Sequence, residues 1–432
     1  MGALKHLYEV VDQFCQAKEN IDNLLFVQSM GRLALYDKAL GYHKFFETRE
    51  LRQISRRYMI EHLRKNVSMA SIKDFIAQVE TECYRHVNTM QTDYVALNDV
   101  LLNIGTGETH KYDKDKLVFH KLNINSTDMN TETPRFLQFL DEIIVGDDGT
   151  PDKELQQIVQ EMFGFALLPG LDPHAVFFLV GSGANGKSVL LNLLIDIIGK
   201  DFVSSASIQS LTTGKFKFGG LVGKKLNICN EEESKFISSA TFKALVSGDP
   251  LEDERKFGDK YTFYPNTKFF FATNEWPSFD SINEGLRRRF KIIPFKRIIP
   301  MDKRDASLLS ALRCEIPGII AWAIAGGRRL VENKYMFSGS KAMDIALATL
   351  EEDISSAIKF FRSKYVEDPN GFMSNEALYE TYRLWCSDNG RKPMNSHNFF
   401  KDLKHILEEK SVSKWDSYIK KTIRGKAISP IE

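Results

Sequence analysis

The sequence predicts an α/β fold around a buried parallel sheet, because of its strand pattern, its glycine-rich loop and its apolar content. Short runs rich in β-branched and aromatic residues alternate with helical segments after residue 171, at Val176–Val180, Leu226–Cys229, Lys268–Thr273 and Phe290–Phe295. Runs of this kind are typical of parallel strands that are covered on both faces. A glycine-rich loop joins the first run to a helix predicted at Val189–Ile198. Hydrophobic residues make up 43% of the 432 positions, which is enough for a large core.

The charge balance and the segment composition exclude several classes of protein. With 58 Lys and Arg against 57 Asp and Glu, the net charge of +1 excludes a uniformly polybasic coat and an acidic tail. No apolar run reaches the ~18 residues of a membrane helix, so Pro317–Ala325 is predicted as a core helix and no membrane partner is expected. The first residues lack the pattern of a secretory signal. Five cysteines without a C-x-x-C pair predict reduced thiols in a cytoplasm, that of a bacterial host if a phage or plasmid encodes the chain.

Residues 1–150 are predicted to form a mainly helical domain with one β patch. Long mixed segments without Pro favour helices. The predicted helices of this domain are Leu51–Lys65, Ser71–Thr89 and Pro134–Ile144, and a further helix, Glu154–Leu168, begins the next unit. A β-like pattern followed by a glycine turn places the β patch near residues 94–122. The polar stretch 146–151 is the first plausible joint between domains.

Two further units follow along the chain. Residues 151–335 contain the alternating strands and helices and end in a helical stretch at Ala306–Val331. Residues 336–432 form a smaller unit, which starts helical near residue 352 and ends in the basic stretch Arg391–Lys426. Basic residues are also dense between Arg287 and Arg304, and acids elsewhere cancel them in the sum. The near-zero net charge is therefore compatible with a local nucleic-acid groove.

The glycine-rich loop matches G-x-x-x-x-G-K-[ST] at every fixed position and lies between a predicted strand and a predicted helix, as this motif requires. Its glycines let backbone N–H groups and the helix N-terminus face a phosphate group. Lys187 is expected to reach the β- and γ-phosphates, and the Ser188 hydroxyl to hold Mg²⁺. The predicted nucleotide-binding residues are Gly181, Ser182, Gly183, Ala184, Asn185, Gly186, Lys187, Ser188 and Val189. The loop predicts binding of a nucleoside triphosphate.

Hydrolysis needs a carboxylate, a polar residue near the γ-phosphate and an arginine as well. The second strand ends in acids, of which Glu231 is the candidate to polarise the attacking water and Glu232 is its alternative. The third strand ends at Asn274, and Arg288 and Arg289 precede the fourth. Each feature also has a plainer explanation: acids at the start of a solvated helix, an asparagine that forms a turn, and surface arginines.

In their order and spacing these motifs resemble the superfamily 3 helicases, and more closely the helicase portion of poxvirus-type and phage or plasmid primase–helicases. The resemblance covers about residues 90–430 and is weakest over 1–90. Besides the loop, it rests on Gly223–Glu231, Phe242–Asp249, Phe271–Pro277 and Arg288–Phe295, with flanking matches at Asn98–Glu108 and Glu315–Trp322.

The resemblance implies an AAA+ ATPase domain at 151–335 that assembles as a homo-hexameric ring, with ATP and Mg²⁺ bound between subunits. One subunit would contribute Lys187, Ser188, Glu231 and Asn274, and the next would contribute Arg288 or Arg289 as an arginine finger. Ser188 and Glu231 are the predicted metal ligands. Many relatives carry Asp where this chain has Asn230, so the choice among Asn230, Glu231 and Glu232 for the Mg²⁺ shell stays open.

The resemblance also implies contacts with DNA. The segment Lys243–Lys260 corresponds to a hairpin that faces the ring's pore, and its candidate DNA contacts are Arg255, Lys256, Phe257 and Lys260. An exposed charged hairpin is the alternative explanation of these residues. Residues 336–432 resemble the family's winged-helix tail, which predicts a C-terminal DNA-binding domain. Residues 1–90 are hypothesised to form a collar that holds the ring together.

The predicted function is that of a helicase which moves on single-stranded DNA and opens forked DNA in the replication of a phage, virus or mobile element. No acidic metal triad or zinc motif of a primase is present, so a primase or polymerase module would be a further partner. The alternative is an ATP-regulated replication initiator or origin-binding scaffold with little unwinding activity. A small-molecule kinase is a distant third hypothesis, because no substrate-pocket signature accompanies the loop.

Overall fold

A computed structural model shows a mixed α/β protein whose central element is a five-stranded parallel sheet, as predicted. Its elements fall into an N-terminal, a central and a C-terminal group along the chain. The structure describes residues 2–17, 23–27, 32–46, 48–63, 67–83, 86–87, 94–170, 174–213, 217–230, 239–254, 260–274, 284–404, 406–407, 412–416 and 421–431.

The N-terminal group contains a four-stranded sheet besides its helices. Its elements are α1 (Gly2–Gln16), β1 (Leu24–Val27), β2 (Arg32–Asp37), β3 (Tyr42–Phe45), α2 (Thr48–Leu63), α3 (Met69–Glu82) and β4 (His86–Val87). Helix α2 confirms one predicted segment, and α3 confirms the other only as far as Glu82, because β4 lies within the part predicted to continue to Thr89. The strands were not predicted; they lie in the order β3-β2-β1-β4, with β1 antiparallel to β2 and parallel to β4. Val11, Met59 and Phe75 lie in the core beneath this sheet.

The predicted β patch and the two helices after it are confirmed. The patch consists of the antiparallel strands β5 (Tyr94–Ala96), β6 (Leu101–Asn103) and β7 (Thr109–His110), and the helices are α4 (Pro134–Ile143) and α5 (Lys153–Leu167). Helix α5 begins where the Asp152 carboxylate accepts the N–H of Leu155 at 2.9 Å. Helix α4 begins at Pro134, whose fixed φ suits a first helical position.

The central group forms the parallel sheet and its covering helices. Its elements are β8 (Val176–Val180), α6 (Lys187–Ile198), β9 (Val203–Ser204), α7 (Ile208–Thr212), β10 (Leu226–Cys229), α8 (Ser239–Ser247), β11 (Leu251–Glu254), β12 (Lys260–Phe263), β13 (Lys268–Thr273), α9 (Glu284–Arg287) and β14 (Phe290–Pro294). The strand order is β14-β8-β13-β10-β9, and every pairing is parallel. Four of these strands were predicted, whereas the two-residue β9 was not.

Both faces of the sheet are buried, which explains the continuous apolar runs in the sequence. Along β8, Phe177 and Leu179 pack into the core on one face, and Val176 and Phe178 pack into a second core on the other. Successive side chains of a strand point to opposite faces, so a strand covered on both sides must be apolar at every position.

The helical stretch predicted at Ala306–Val331 is two helices, α10 (Leu308–Cys314) and α11 (Ile316–Glu332). The prediction of a helical stretch is confirmed, with one break, because Pro317 in the first turn of α11 has no N–H to continue the hydrogen bonds of α10 past Glu315. The Glu315 carboxylate accepts the N–H groups of Arg135 (3.0 Å) and Phe136 (2.8 Å) and thereby caps α4. Across the described ranges no single helix is long and apolar enough to span a membrane, although Met301–Cys314 and Ile316–Glu332 pass that test as a pair bent by 76°.

Helices α5 and α11 cross at backbone contact, and glycines make that contact possible. A Cβ at Gly164 would lie 2.6 Å from the Cα of Gly327 and 2.7 Å from the carbonyl oxygen of Ala323. Because a side chain at Gly164 would collide with the backbone of α11, α11 packs tightly on α5 and closes the core on that side of the sheet.

The C-terminal group has its own small core. Its elements are α12 (Lys341–Ile354), α13 (Ser356–Lys364), β15 (Tyr365–Glu367), β16 (Met373–Ser374), α14 (Asn375–Asp388), α15 (Ser396–Leu403), β17 (Val412–Asp416), β18 (Lys421–Lys426) and β19 (Ile428–Pro430). Helix α12 packs with the central sheet through Ala346 and Leu350, whereas the separate core begins at Ala357 and includes Tyr382 and Phe399. The antiparallel pair β17–β18 lies within the basic stretch Arg391–Lys426.

Two lysines enter the interior at the amino edge of the central sheet. Lys268, 2% exposed, donates from Nζ to the carbonyl oxygens of Phe165 (2.5 Å) and Leu168, and Lys225 donates to that of Leu167 at 2.8 Å. These carbonyls end helix α5, where the helix leaves acceptors free and where its dipole favours a cation. The two lysines therefore anchor the end of α5 to the sheet.

Replacing Lys225 with methionine is expected to flatten the pH dependence of stability. Burial lowers the pKa of Lys225 from 10.5 to about 7. Between these values the unfolded chain binds a proton that the native chain does not, so the free energy of unfolding rises with pH, by up to about 1.4 kcal/mol per pH unit. Urea unfolding at several pH values above 7 measures the slope. The control is Lys224→Met, which should keep the wild-type slope; equal slopes for wild type and Lys225→Met would contradict the prediction.

Candidate phosphate-binding site

Three strands of the central sheet deliver their carboxyl ends to the same edge. Strand β13 lies between β8 and β10, with Thr273 opposite Val180 and Phe271 opposite Cys229. Because all three strands are parallel, the residues that follow them meet at one edge, where open α/β sheets bind ligands. Asn274 follows β13, and the glycine-rich loop follows β8.

The loop has the tight backbone that the motif predicted. Gly186 has φ +87°, and a Cβ there would lie 2.7 Å from Cγ2 of Ile143. A Cβ at Gly181 would lie 2.5 Å from the carbonyl oxygen of Phe295. The N–H of Gly181 donates to the carbonyl of Thr273 at 3.2 Å, which ties the start of the loop to β13. The loop thus wraps against its neighbours without room for side chains at either glycine.

Lys187 lies inside the loop and points back over it. Its Nζ donates to the carbonyl oxygen of Gly181 (2.5 Å) and to Oδ1 of Asn185 (3.1 Å), and it lies 3.5 Å from Oδ1 of Asn274. The side chain is 5% exposed, and burial lowers its pKa from 10.5. A buried ammonium held by neutral oxygens lacks a counter-charge, so an anion at this position would be strongly attracted.

Three further features fit an anionic group with a bound cation. The amide Nδ2 of Asn185 is buried and has no acceptor within the described ranges, and Asn185 itself is 2% exposed. Helix α6 begins at Lys187, so the free N–H groups of its first turn face the loop. Ser188 is exposed in that turn, where its hydroxyl is available to Mg²⁺. The residues present therefore fit a nucleotide phosphate with its metal ion.

Several predicted site residues lie outside the described residues, namely Glu231, Glu232, Arg255, Lys256 and Phe257. Their roles stay predictions. The backbone of Lys260 lies in β12, opposite Glu254 of β11, so the predicted hairpin has its two strands in place. Asn230, at the end of β10, has a buried Oδ1 without a donor among the residues that the structure describes. Nor does that part of the chain contain a cluster of three or more His, Cys, Asp or Glu suited to a metal.

The three consecutive arginines lie at the opposite edge of the sheet. The N–H of Val176, at the amino end of β8, donates to the carbonyl oxygen of Arg289 at 2.9 Å. The five residues of β8 span about 16 Å, and the loop follows their far end. The arginines are therefore beyond the reach of the same chain's phosphate loop.

The same arginines differ in what they contact. Arg287 Nε forms an ion pair with Glu351 at 2.7 Å, and Arg289 is 5% exposed and donates from Nη1 to the carbonyl oxygen of Gly285. Burial lowers the pKa of Arg289. Arg288 is exposed. Of the two predicted finger residues, Arg288 is thus the one whose charge is presented to solvent.

Glu351 was not singled out from the sequence. It is 4% exposed on α12, and it also accepts from Arg362 of α13 at 2.7 Å. It therefore connects the arginine segment to the C-terminal group through one buried carboxylate. Glu351 is followed by two more acids in the sequence and its partners are distant along the chain, so no local pattern identifies it.

Replacing Glu351 with glutamine is expected to destabilise the protein by about 2 kcal/mol, because two arginines lose a shared buried carboxylate. Breaking fully buried pairs costs about 3–5 kcal/mol, and the effect is smaller here because Arg287 and Arg362 are 38% and 28% exposed. Urea unfolding measures it. Glu352→Gln is the matched control, since Glu352 is 34% exposed and lies 3.5 Å from Arg362; its expected effect is below about 1 kcal/mol. Equal losses for the two variants would contradict a special role of Glu351.

The parallel sheet and its strand–loop–helix unit define a P-loop α/β protein. Two family models match parts of the chain. Residues 179–289 match a family of unknown function (DUF5906), and residues 356–431 match the family described as Poxvirus D5 protein-like. The predicted resemblance to the poxvirus-type primase–helicases is thereby confirmed.

The chain is also similar to individual proteins. A protein of Acanthamoeba polyphaga mimivirus, named "Putative helicase L207/L206", is 30% identical over 153 residues. The match covers 34% of this chain and 16% of that protein, so the chain spans only a small part of its relative. Among solved structures, an A-form apo structure of the NrS-1 C-terminal region is 13% identical with a TM-score of 0.47, over 94% of this chain and 96% of that one. A second apo structure of that region is 12% identical with a TM-score of 0.46 over the same shares.

Proposed function

We propose that this chain is an ATP-driven, ring-forming DNA helicase that acts in the replication of a virus, phage or mobile element. One observation carries the proposal: the phosphate loop and the exposed Arg288 lie at opposite edges of one sheet. A complete site then requires the arginine of a second copy, which is the arrangement of an AAA+ ring. The relationship to helicases supports the same proposal.

Each of the predicted site residues has a separate role in ATP hydrolysis. Lys187 and the amides at the start of α6 hold the nucleotide phosphates, and Asn274 orients groups near the γ-phosphate beside them. Glu231, with Glu232 as its alternative, polarises the attacking water, and Arg288 of the neighbouring copy stabilises the charge that develops. Mg²⁺, held by Ser188 and Glu231, would neutralise phosphate charge. Because Arg288 acts from a neighbour, turnover depends on how two copies are arranged, and this couples hydrolysis to movement.

DNA would be gripped at two places. The hairpin β11–β12, with Arg255, Lys256, Phe257 and Lys260, would face the pore and follow a single strand. The C-terminal group would bind as a winged-helix-like domain, in which Arg391 lies 5.9 Å above the ring of Trp385. We place a homo-hexamer, forked DNA and a separate primase or polymerase module among the partners.

Strand displacement on a forked DNA tests the proposal. The purified chain should release the displaced strand with ATP and Mg²⁺, and single-stranded DNA should stimulate phosphate release. A non-hydrolysable ATP analogue and the Lys187→Ala variant serve as negative controls. Tight duplex binding with negligible turnover would instead support the alternative, an ATP-regulated replication initiator. Equal displacement by wild type and Lys187→Ala would contradict both the site and the function.

A further inference from the structure

The exposed face of helix α2 carries a stripe of arginines that the proposed hydrolysis and the pore hairpin do not use. Arg49, Arg52, Arg56 and Arg57 are all exposed, and none forms an ion pair with another residue of the described ranges. Of the two acids of this helix, Glu50 pairs with Lys44 at 3.7 Å, and Glu61 lies one turn beyond Arg57 without an ion pair in the described ranges. The stripe is thus a surface of unpaired positive charge on the N-terminal group.

Helix geometry brings the four side chains onto one side. At 3.6 residues per turn, residues 49, 52, 56 and 57 fall within less than half of the helix circumference, and they extend about 12 Å along its axis. The opposite side of α2 packs on the N-terminal core through Leu51, Ile54 and Tyr58, and the buried Met59 borders the stripe. The arginines therefore have no structural task in that core, and they are held in a row on a rigid element.

We propose that this arginine stripe binds the phosphate backbone of nucleic acid, so that the N-terminal group is a further contact of the chain with its DNA. A row of like charges repels itself and is stabilised by a partner whose negative charges are also closely spaced. Nucleic acid has this property, with one charge per about 1.7 Å of duplex axis. Guanidinium groups bind phosphate oxygens in pairs of parallel hydrogen bonds, so arginine suits this partner better than lysine does.

The salt dependence of DNA binding tests the stripe. Each phosphate contact contributes about −0.7 to the slope of log K against log salt for a single strand. The double variant Arg52→Gln/Arg56→Gln of the whole chain should therefore lower the magnitude of this slope by about 1.4 for a labelled oligothymidine, measured by fluorescence anisotropy. On duplex DNA the same contacts would remove about 1.8 from the slope.

A matched control removes the same charge from the same group. Lys38 and Lys73 are exposed, lie outside the stripe, and in the double variant Lys38→Gln/Lys73→Gln should leave the slope unchanged. An unchanged slope for Arg52→Gln/Arg56→Gln on both DNAs, or equal losses for the two double variants, would overturn the inference.

The outcome is separable from that of the proposed function. If the chain displaces strands but the double variant keeps the full salt slope, the proposed helicase function stands and the proposed role of the arginine stripe is contradicted. If the chain shows no strand displacement but the slope of the double variant still falls by about 1.4, the stripe is supported as a nucleic-acid surface and the helicase function is contradicted. ATP turnover measured without DNA should be equal in wild type and in the stripe variant, because α2 contributes no group to the phosphate site.

Discussion

Replacing Lys187 with alanine is expected to lower ATP turnover by at least about 100-fold, the loss that follows removal of one preorganised donor from a charged transition state. The ammonium is buried in the loop, where its attraction to phosphate is screened less than at the surface. The fold should persist, because Lys187 is the first residue of α6 and its neighbours stay packed. Phosphate release in the presence of single-stranded DNA measures the loss.

A lysine at the far end of the same helix provides the control. Lys200 is exposed just beyond α6, so Lys200→Ala should keep wild-type turnover. A thermal unfolding scan of both variants separates lost chemistry from lost folding. Turnover above about one tenth of wild type in Lys187→Ala, with an intact fold, would contradict the assignment of the phosphate site.

Replacing Arg288 with alanine is expected to lower turnover by about 10³–10⁵-fold, the range found for arginine fingers. Nucleotide binding should change little, because Arg288 and its own chain's loop lie at opposite ends of strand β8. Steady-state phosphate release and a fluorescent-nucleotide titration measure the two quantities. Arg383→Ala is the control, since Arg383 is 53% exposed and forms an ion pair with Glu380 at 2.8 Å on α14.

A mixing experiment distinguishes an arginine supplied by a neighbour from one that acts within its own chain. In a mixture of Lys187→Ala and Arg288→Ala, some interfaces combine the intact loop of one copy with the intact arginine of the other. With random assembly about one quarter of the interfaces are complete, so two inactive proteins should together regain roughly that share of wild-type turnover. No recovery in a mixture that assembles would contradict the shared site.

The sequence predicts best where the information is local. The strands of the central sheet are continuous apolar runs because both faces are buried, and three of the four predicted runs match the observed bounds. The motif of the phosphate loop is equally local, because Gly181, Gly186 and Lys187 lie at fixed spacing within one loop. The contacts that leave both glycines no room for a side chain come from Phe295 and Ile143, which are distant along the chain. The motif can therefore be read from the sequence, whereas its packing cannot.

The parts that were missed depend on distant contacts. The strands β1 and β2 are four and six residues long and lie between helical segments, where no run is long enough to stand out. The contact of the Glu315 carboxylate with the start of α4, some 180 residues earlier, cannot be read from the sequence either, whereas the break itself follows from Pro317. Packing at the amino edge of the sheet decides whether Arg288 or Arg289 is exposed. A run of three arginines in the sequence does not show which of them is buried.

Because the loop and Arg288 are far apart within one chain, ATP turnover is expected to depend on the protein concentration. If each copy carries the phosphate loop at one edge of its sheet and Arg288 at the other, a separated chain can bind a nucleotide without hydrolysing it. Turnover per chain then rises with protein concentration until rings are complete, and it becomes independent of concentration beyond that point. Loading of rings onto DNA would have the same effect at low concentration, because it gathers copies on one strand. Under the proposed function, this arrangement would restrict ATP hydrolysis to assembled particles.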